Sequence, residues 1–64
     1  MNIVHKETNE VLFMDVEVKL HSDGFVIMEG GETIGRIHSG FVWVENYGEW
    51  VELIDENLIR IESR

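Results

Sequence analysis

Between residues 10 and 21 every even position from 12 to 20 is apolar, and from Met14 to His21 apolar and polar side chains alternate one for one. Leu12, Met14, Val16, Val18 and Leu20 take the even positions, and Asp15, Glu17, Lys19 and His21 stand between and after them. A period of two belongs to a β-strand with one face buried and the other in water. A helix places its apolar stripe three and four positions apart, and five successive even apolar positions, with charges between the last four, fit that template badly. The run predicts one long strand over residues 10–21 and makes sheet the expected class.

Proline is absent and six glycines punctuate the chain, most of them between apolar runs. Ser22, Asp23 and Gly24 have turn chemistry, and Phe25 to Met28 reads as the returning strand. The Gly30-Gly31 pair sits where a two-residue hairpin needs it, ahead of a strand from Thr33 to His38. Gly35 within that strand suggests a bulge or a close backbone approach. Ser39-Gly40 leads into Phe41 to Val44, and the turn at Asn46, Tyr47, Gly48 and Glu49 leads into Trp50 to Leu53. Four sequential hairpins make a meander. A short 3₁₀ turn is expected at residues 55–57, before a closing strand from Leu58 to Ile61, with residues 2–6 a candidate edge strand.

The sequence has 64 residues, room for one domain near the lower limit at which an apolar core holds without help. Residues 1–64 are therefore read as a single acidic β-barrel domain. With no cysteine, neither disulfides nor Cys-based zinc sites are available, so packing or self-association must stabilise the fold. No apolar run approaches a membrane span, and the first residues lack a basic region followed by an apolar run of signal-peptide length, which makes the cytoplasm the expected compartment. Thirteen Asp and Glu against five Lys and Arg give a formal charge of −8. Such a field repels phosphate backbones and anionic lipid, so neither direct nucleic-acid binding nor membrane binding is expected. It favours a basic partner.

Five or six short strands in so few residues cannot stack two full sheets, so the antiparallel meander is expected to curl into a small barrel or a tight orthogonal sandwich. The order of a long strand, hairpin-linked strands, Trp50-Val51-Glu52-Leu53, the Asp55-Glu56-Asn57 turn and a last strand Leu58-Ile59-Arg60-Ile61 resembles an SH3-like barrel. The likeness covers the whole chain in architecture. Eukaryotic SH3 domains hold proline-rich peptides with an acidic-aromatic loop and a proline-containing turn; this chain has no proline and no ALYDY-type opening. The resemblance thus implies the fold and transfers no ligand.

No catalytic residue, cofactor site or metal site is expected. His5, His21 and His38 are spaced sixteen and seventeen positions apart, unlike the local pair of a helical zinc site, and each edges an expected strand. Ser22 and Ser39 are explained by turns, and neither they nor Ser63 has the context of an activated nucleophile. Gly30-Gly31 lacks the lysine and following helix of a phosphate loop.

The segment that stands out is residues 41–56. It interleaves Trp43, Tyr47 and Trp50 with Glu45, Glu49, Glu52, Asp55 and Glu56, and holds no Lys or Arg. Alternation allows either tryptophan to be core, with the carboxylates a solvated face. A rim of acid around exposed aromatics is also the composition of a site that captures Arg or Lys, and these eight residues are the candidate partner-binding set. Asp15 and Glu17 would add to the same field if their face neighbours the hairpin. The expected function is a non-catalytic interaction module for a basic protein surface, nucleic-acid-handling proteins included. A DNA-mimic inhibitor from a phage or other mobile element is the sharper form. The alternative is a structural subunit or homodimer in which a second copy completes the core.

Overall fold

The computed structural model describes residues 1–63. Their strands are β1 (Asn2–His5), β2 (Val11–Phe13), β3 (Glu17–His21), β4 (Gly24–Glu29), β5 (Glu32–His38), β6 (Phe41–Asn46), β7 (Glu49–Asp55) and β8 (Ile59–Glu62), with a 3₁₀ turn at Glu56–Leu58 before β8. They form two antiparallel sheets, one in the order β2-β1-β8 and one in the order β3-β4-β5-β6-β7. The larger sheet is the expected four-hairpin meander. The strand count exceeds the expected five or six, and among the described residues neither sheet closes on itself. The single barrel sheet is replaced by two.

The difference arises at the corner between β2 and β3. Residues 10–21 are not one strand: Asp15 adopts a positive φ of 54°, which carries the chain out of the small sheet and into the large one. Two contacts pin that corner. The Asp15 N–H donates to Asn2 Oδ1 at 2.9 Å, and Met1 and Val16 exchange hydrogen bonds at 2.8 Å each way, from the terminal ammonium to Val16 O and from Val16 N–H to Met1 O. The break resets the alternation. Phe13 and Val16, three apart, are the buried pair, whereas Met14 is 60% and Leu20 80% exposed. A strand that changes sheets at a bend is how two sheets share a core without closing a continuous ladder.

β1 is likewise not an edge. It lies between β2 and β8, which places Ile3 and Val4 among the buried residues. Ile3, Phe13 and Val16 meet Ile27, Ile37 and Val42 of the large sheet in one apolar cluster. Burying each such side chain contributes about 1.5–3 kcal/mol relative to leaving it in water. Gly35 is buried within this contact, where an added Cβ would stand 2.9 Å from Trp43 O and 3.1 Å from Ile27 Cδ1. The register also shifts between Ile27 and Met28, leaving Ile34 as the extra residue of a bulge. Both consequences expected of a glycine in that strand occur there together.

Three hairpins of the large sheet turn on two residues with positive φ: Gly30-Gly31, Ser39-Gly40 and Tyr47-Gly48. These are type I′ turns, whose twist matches that of the flanking strands. The 3₁₀ turn falls one residue later than expected, because Asp55 caps it: Asp55 Oδ1 accepts from Asn57 N–H at 2.8 Å.

Candidate functional site

The register of β5, β6 and β7 decides which side chains of residues 41–56 meet. Paired residues of an antiparallel ladder share a face. Arg36 pairs with Trp43 and Trp43 with Glu52, while Glu45 pairs with Trp50. Val42 pairs with Ile54 and faces the core. Trp43, Glu45, Trp50 and Glu52 therefore lie on the outer face of the sheet, away from the core. Neither tryptophan is a core residue: Trp43 is half-buried and Trp50 is 42% exposed.

The outer face has its own small structure. The Trp43 indole Nε1 donates to His38 O at 3.0 Å, and its ring meets Phe41 edge to face, with centroids 6.4 Å apart at 76°. The Arg36 guanidinium lies over the Trp50 ring, 5.5 Å from its centroid. His38 Nδ1 is 3.0 Å from Asp23 O. A carbonyl only accepts, so Nδ1 carries the proton and donates. Arg36, His38, Trp43 and Trp50 line an open recess of about 180 Å³.

This corrects the view of the tryptophans as free rings awaiting a partner's cation. One face of Trp50 is already covered by the protein's own Arg36. Sequence reasoning counted no base within residues 41–56 and missed both Arg36 and His38, which reach the site from the neighbouring strand. A signal for them existed. If Ser39-Gly40 is a two-residue turn, His38 pairs with Phe41 and Arg36 with Trp43 by counting outward.

The eight candidate residues do not form one patch. Tyr47 and Glu49 stand at the tip of the β6–β7 hairpin, with Glu45 and Trp50 paired next to it and Glu52 further along. Asp55 and Glu56 lie at the opposite end, roughly 17 Å away along the strand, where Glu56 N–H bonds Gly40 O at 3.0 Å and the Asp55 carboxylate is engaged in its cap. Glu17 on β3, with Asp15 just before it, does not neighbour the hairpin along the sheet, since β4 and β5 lie between β3 and β6. The tip is thus the acidic-aromatic locus. There Tyr47 is 100% exposed, at a φ of 52°.

His5 ends β1, while His21 ends β3 and His38 ends β5, each paired with Gly24 of the strand between them. His5 Nδ1 accepts from Glu7 N–H and Thr8 N–H at 3.1 and 3.3 Å. Among the described residues no group of three or more His, Asp or Glu is arranged to hold a metal ion, and no helix is long and apolar enough to cross a membrane. Comparison with family models, with curated proteins and with solved structures yields no match to this chain.

Proposed function

We propose that this chain is a small non-catalytic interaction module that docks the acidic tip of its β6–β7 hairpin on a basic surface of a partner protein. The observation that carries the reading is Tyr47. A residue with a Cβ is strained in the left-handed region, and Tyr lacks the short polar side chain that lets Asn or Asp sit there. Its ring is wholly in water and returns nothing to folding. Strain of this kind, unrepaid by packing, is a mark of a site kept for contact with something else. Glu45 and Glu49 beside it supply the attraction, and the net charge of −8 steers a basic partner toward the molecule. Partner capture then rests on carboxylates and Tyr47, with Trp50 already stacked on Arg36.

In its sharper form the partner is a nucleic-acid-handling protein of the cytoplasm, and the carboxylates take the place of backbone phosphates, as in inhibitors carried by phages and other mobile elements. The SH3-like reading of the fold belongs to the same proposal. The last strand pairs with the first, a 3₁₀ turn precedes it, and one chain segment serves both sheets. The test is a pull-down with the tagged chain, washed in parallel at about 0.05 and 0.5 M salt. A basic protein held only at low salt by the natural chain, and not by a Tyr47→Asn, Glu45→Gln, Glu49→Gln variant, is the expected result. Retention indifferent to both salt and substitution overturns it.

A specific observation favours self-association as a second reading. Leu20 and Phe25 pair on the core-facing side, in the same row as Ile37 and Val42, yet Leu20 is largely in water and Phe25 is exposed. The inner face extends past its cover. A second copy would complete it, and sedimentation at several concentrations distinguishes the two readings.

A further inference from the structure

Every sheet edge is a row of backbone donors and acceptors that another strand can use, and proteins usually guard such edges with short strands, bulges, Pro or charged side chains, Lys above all. Here β2 has three residues, β3 carries Lys19 and β8 carries Arg60. β7 is different: it is seven residues long and exposed from Glu49 through Leu53, and its only charges are carboxylates, which deter a second acidic strand and attract a basic one. It ends the large sheet, with no strand beyond it among the described residues. Asn46 and Glu49 flank a two-residue turn and so form a hydrogen-bonded pair; the ladder alternates from there. Trp50 and Glu52 therefore point their N–H and C=O away from β6, toward the open edge. The bulge at Leu53 interrupts the edge only after Glu52.

We infer that β7 is the docking edge of the proposed module, and that the partner supplies an extended basic segment which adds to the sheet as a sixth strand. This rests on the reading above, and it specifies how the basic partner is held. The face on which Trp50 and Glu52 lie also carries Glu45, and its only Lys or Arg from β5 to β7 is Arg36, which is stacked on Trp50, so the added strand carries Lys or Arg at those positions. The opposite face presents exposed Val51, so the intervening positions are apolar. The recognised chemistry is a strand alternating basic and β-branched apolar residues, held by main-chain hydrogen bonds and read through alternate side chains. Charge selects this occupant over a second copy. Two β7 strands side by side would gather Glu49 and Glu52 of both copies on one ribbon that holds no base on either strand.

The experiment titrates the ¹⁵N-labelled full chain with a synthetic peptide of about nine residues, long enough to cover β7, alternating Arg and Val and blocked at both ends. A twin peptide carries N-methyl groups on the Arg backbone nitrogens, which face β7 in this pairing, and keeps every charge. The expected result is amide shifts centred on Trp50, Val51 and Glu52, cross-strand contacts between peptide and β7, and about tenfold or greater loss of affinity on methylation. Equal binding of both peptides overturns the added strand and leaves the acidic-docking reading standing. Failure of both to bind at low salt removes that reading as well. Shifts of the β7 amides with the chain's own concentration, in the absence of peptide, overturn the inference in favour of a second copy at this edge.

Discussion

Replacing Tyr47 with Asn is expected to make the protein more stable and less able to bind. Tyr47 and Gly48 are the two central residues of a type I′ turn, with φ of 52° and 82°, between the paired Asn46 and Glu49. The first central position of such a turn favours Asn, whose side chain tolerates the left-handed region through local hydrogen bonding. An ordinary L-residue there costs about 1–2 kcal/mol. Because the Tyr47 side chain is fully exposed, its removal forfeits no burial, and the net gain should be about 1 kcal/mol. Unfolding entropy of about 2.1 cal/mol/K per residue, over 64 residues, converts that gain into a rise in Tm of roughly 7 °C. Urea and thermal unfolding followed by circular dichroism measure it, with an unchanged urea slope as the check that the denatured state has not altered. Ser39 is the internal control: it occupies the same position of the Ser39-Gly40 turn, also at 52°. Ser39→Asn should share the sign of the stability change and leave partner retention intact, while Tyr47→Asn abolishes retention. A neutral or destabilising Tyr47→Asn would show that the ring contributes to the folded state, and the argument from unrepaid strain would fall.

Three other perturbations probe the fold and the outer face. Gly35→Ala forces a methyl against Trp43 O, Ile27 Cδ1 and Phe13 Cζ at 2.9–3.3 Å and should cost about 1–3 kcal/mol; a urea midpoint equal to that of the natural chain would show that β5 and β6 separate freely. A double-mutant cycle of Arg36→Ala and Trp50→Ala should return a coupling of about 0.5–1 kcal/mol, and a coupling of zero would mean that the stacked geometry does no more than juxtapose the two side chains. Raising salt from about 0.02 to 0.5 M should raise Tm, since screening relieves the self-repulsion of a chain of charge −8, whereas the ion pairs Lys19–Glu17 and Arg60–Glu62 are exposed and lose little. A fall in Tm would place favourable ion pairing above repulsion in this molecule.

Much of the large sheet was legible because its turns are written in local chemistry. Gly-Gly, Ser-Gly and Tyr-Gly each lie between apolar runs, and a two-residue turn fixes the register of everything that follows. Strands β1 and β8 of the small sheet were legible too, at residues 2–6 and 58–61, but their assembly into a separate sheet was not, for a reason visible at residues 10–21. Every even position from 12 to 20 is apolar there, and the odd residues Val11 and Phe13, which break the alternation ahead of Asp15, do not by themselves place a bend. What bends it is distant in the chain: Asn2 takes the Asp15 N–H, and Met1 grips Val16. The same separation hid the place of β1, whose neighbours are β2 on one side and, on the other, β8 from the far end of the chain. Periodicity reports which residues are extended; it does not report the position at which an extended segment changes sheets.

The site shows the same limit in a form that bears on function. Counting within residues 41–56 finds five carboxylates, three aromatics of the Trp and Tyr kind, and no base, from which a pocket for a partner's cation follows directly. One strand away, Arg36 already lies over Trp50, so the composition of the segment misstates the chemistry of the surface. What survives that correction is whatever the neighbouring strand cannot reach. Tyr47 and Glu49 lie at the end of the hairpin, beyond the paired part of β5, whose contact with β6 runs only from Gly35 opposite Val44 to His38 opposite Phe41. The far side of β7 faces no strand among the described residues. Tip and open edge are therefore the parts of the hairpin whose charge and backbone groups remain uncommitted within the fold, and they adjoin each other along residues 47–52. A partner that meets one meets the other, which is why an extended basic segment, rather than a single cation, is the occupant to which the surface is matched.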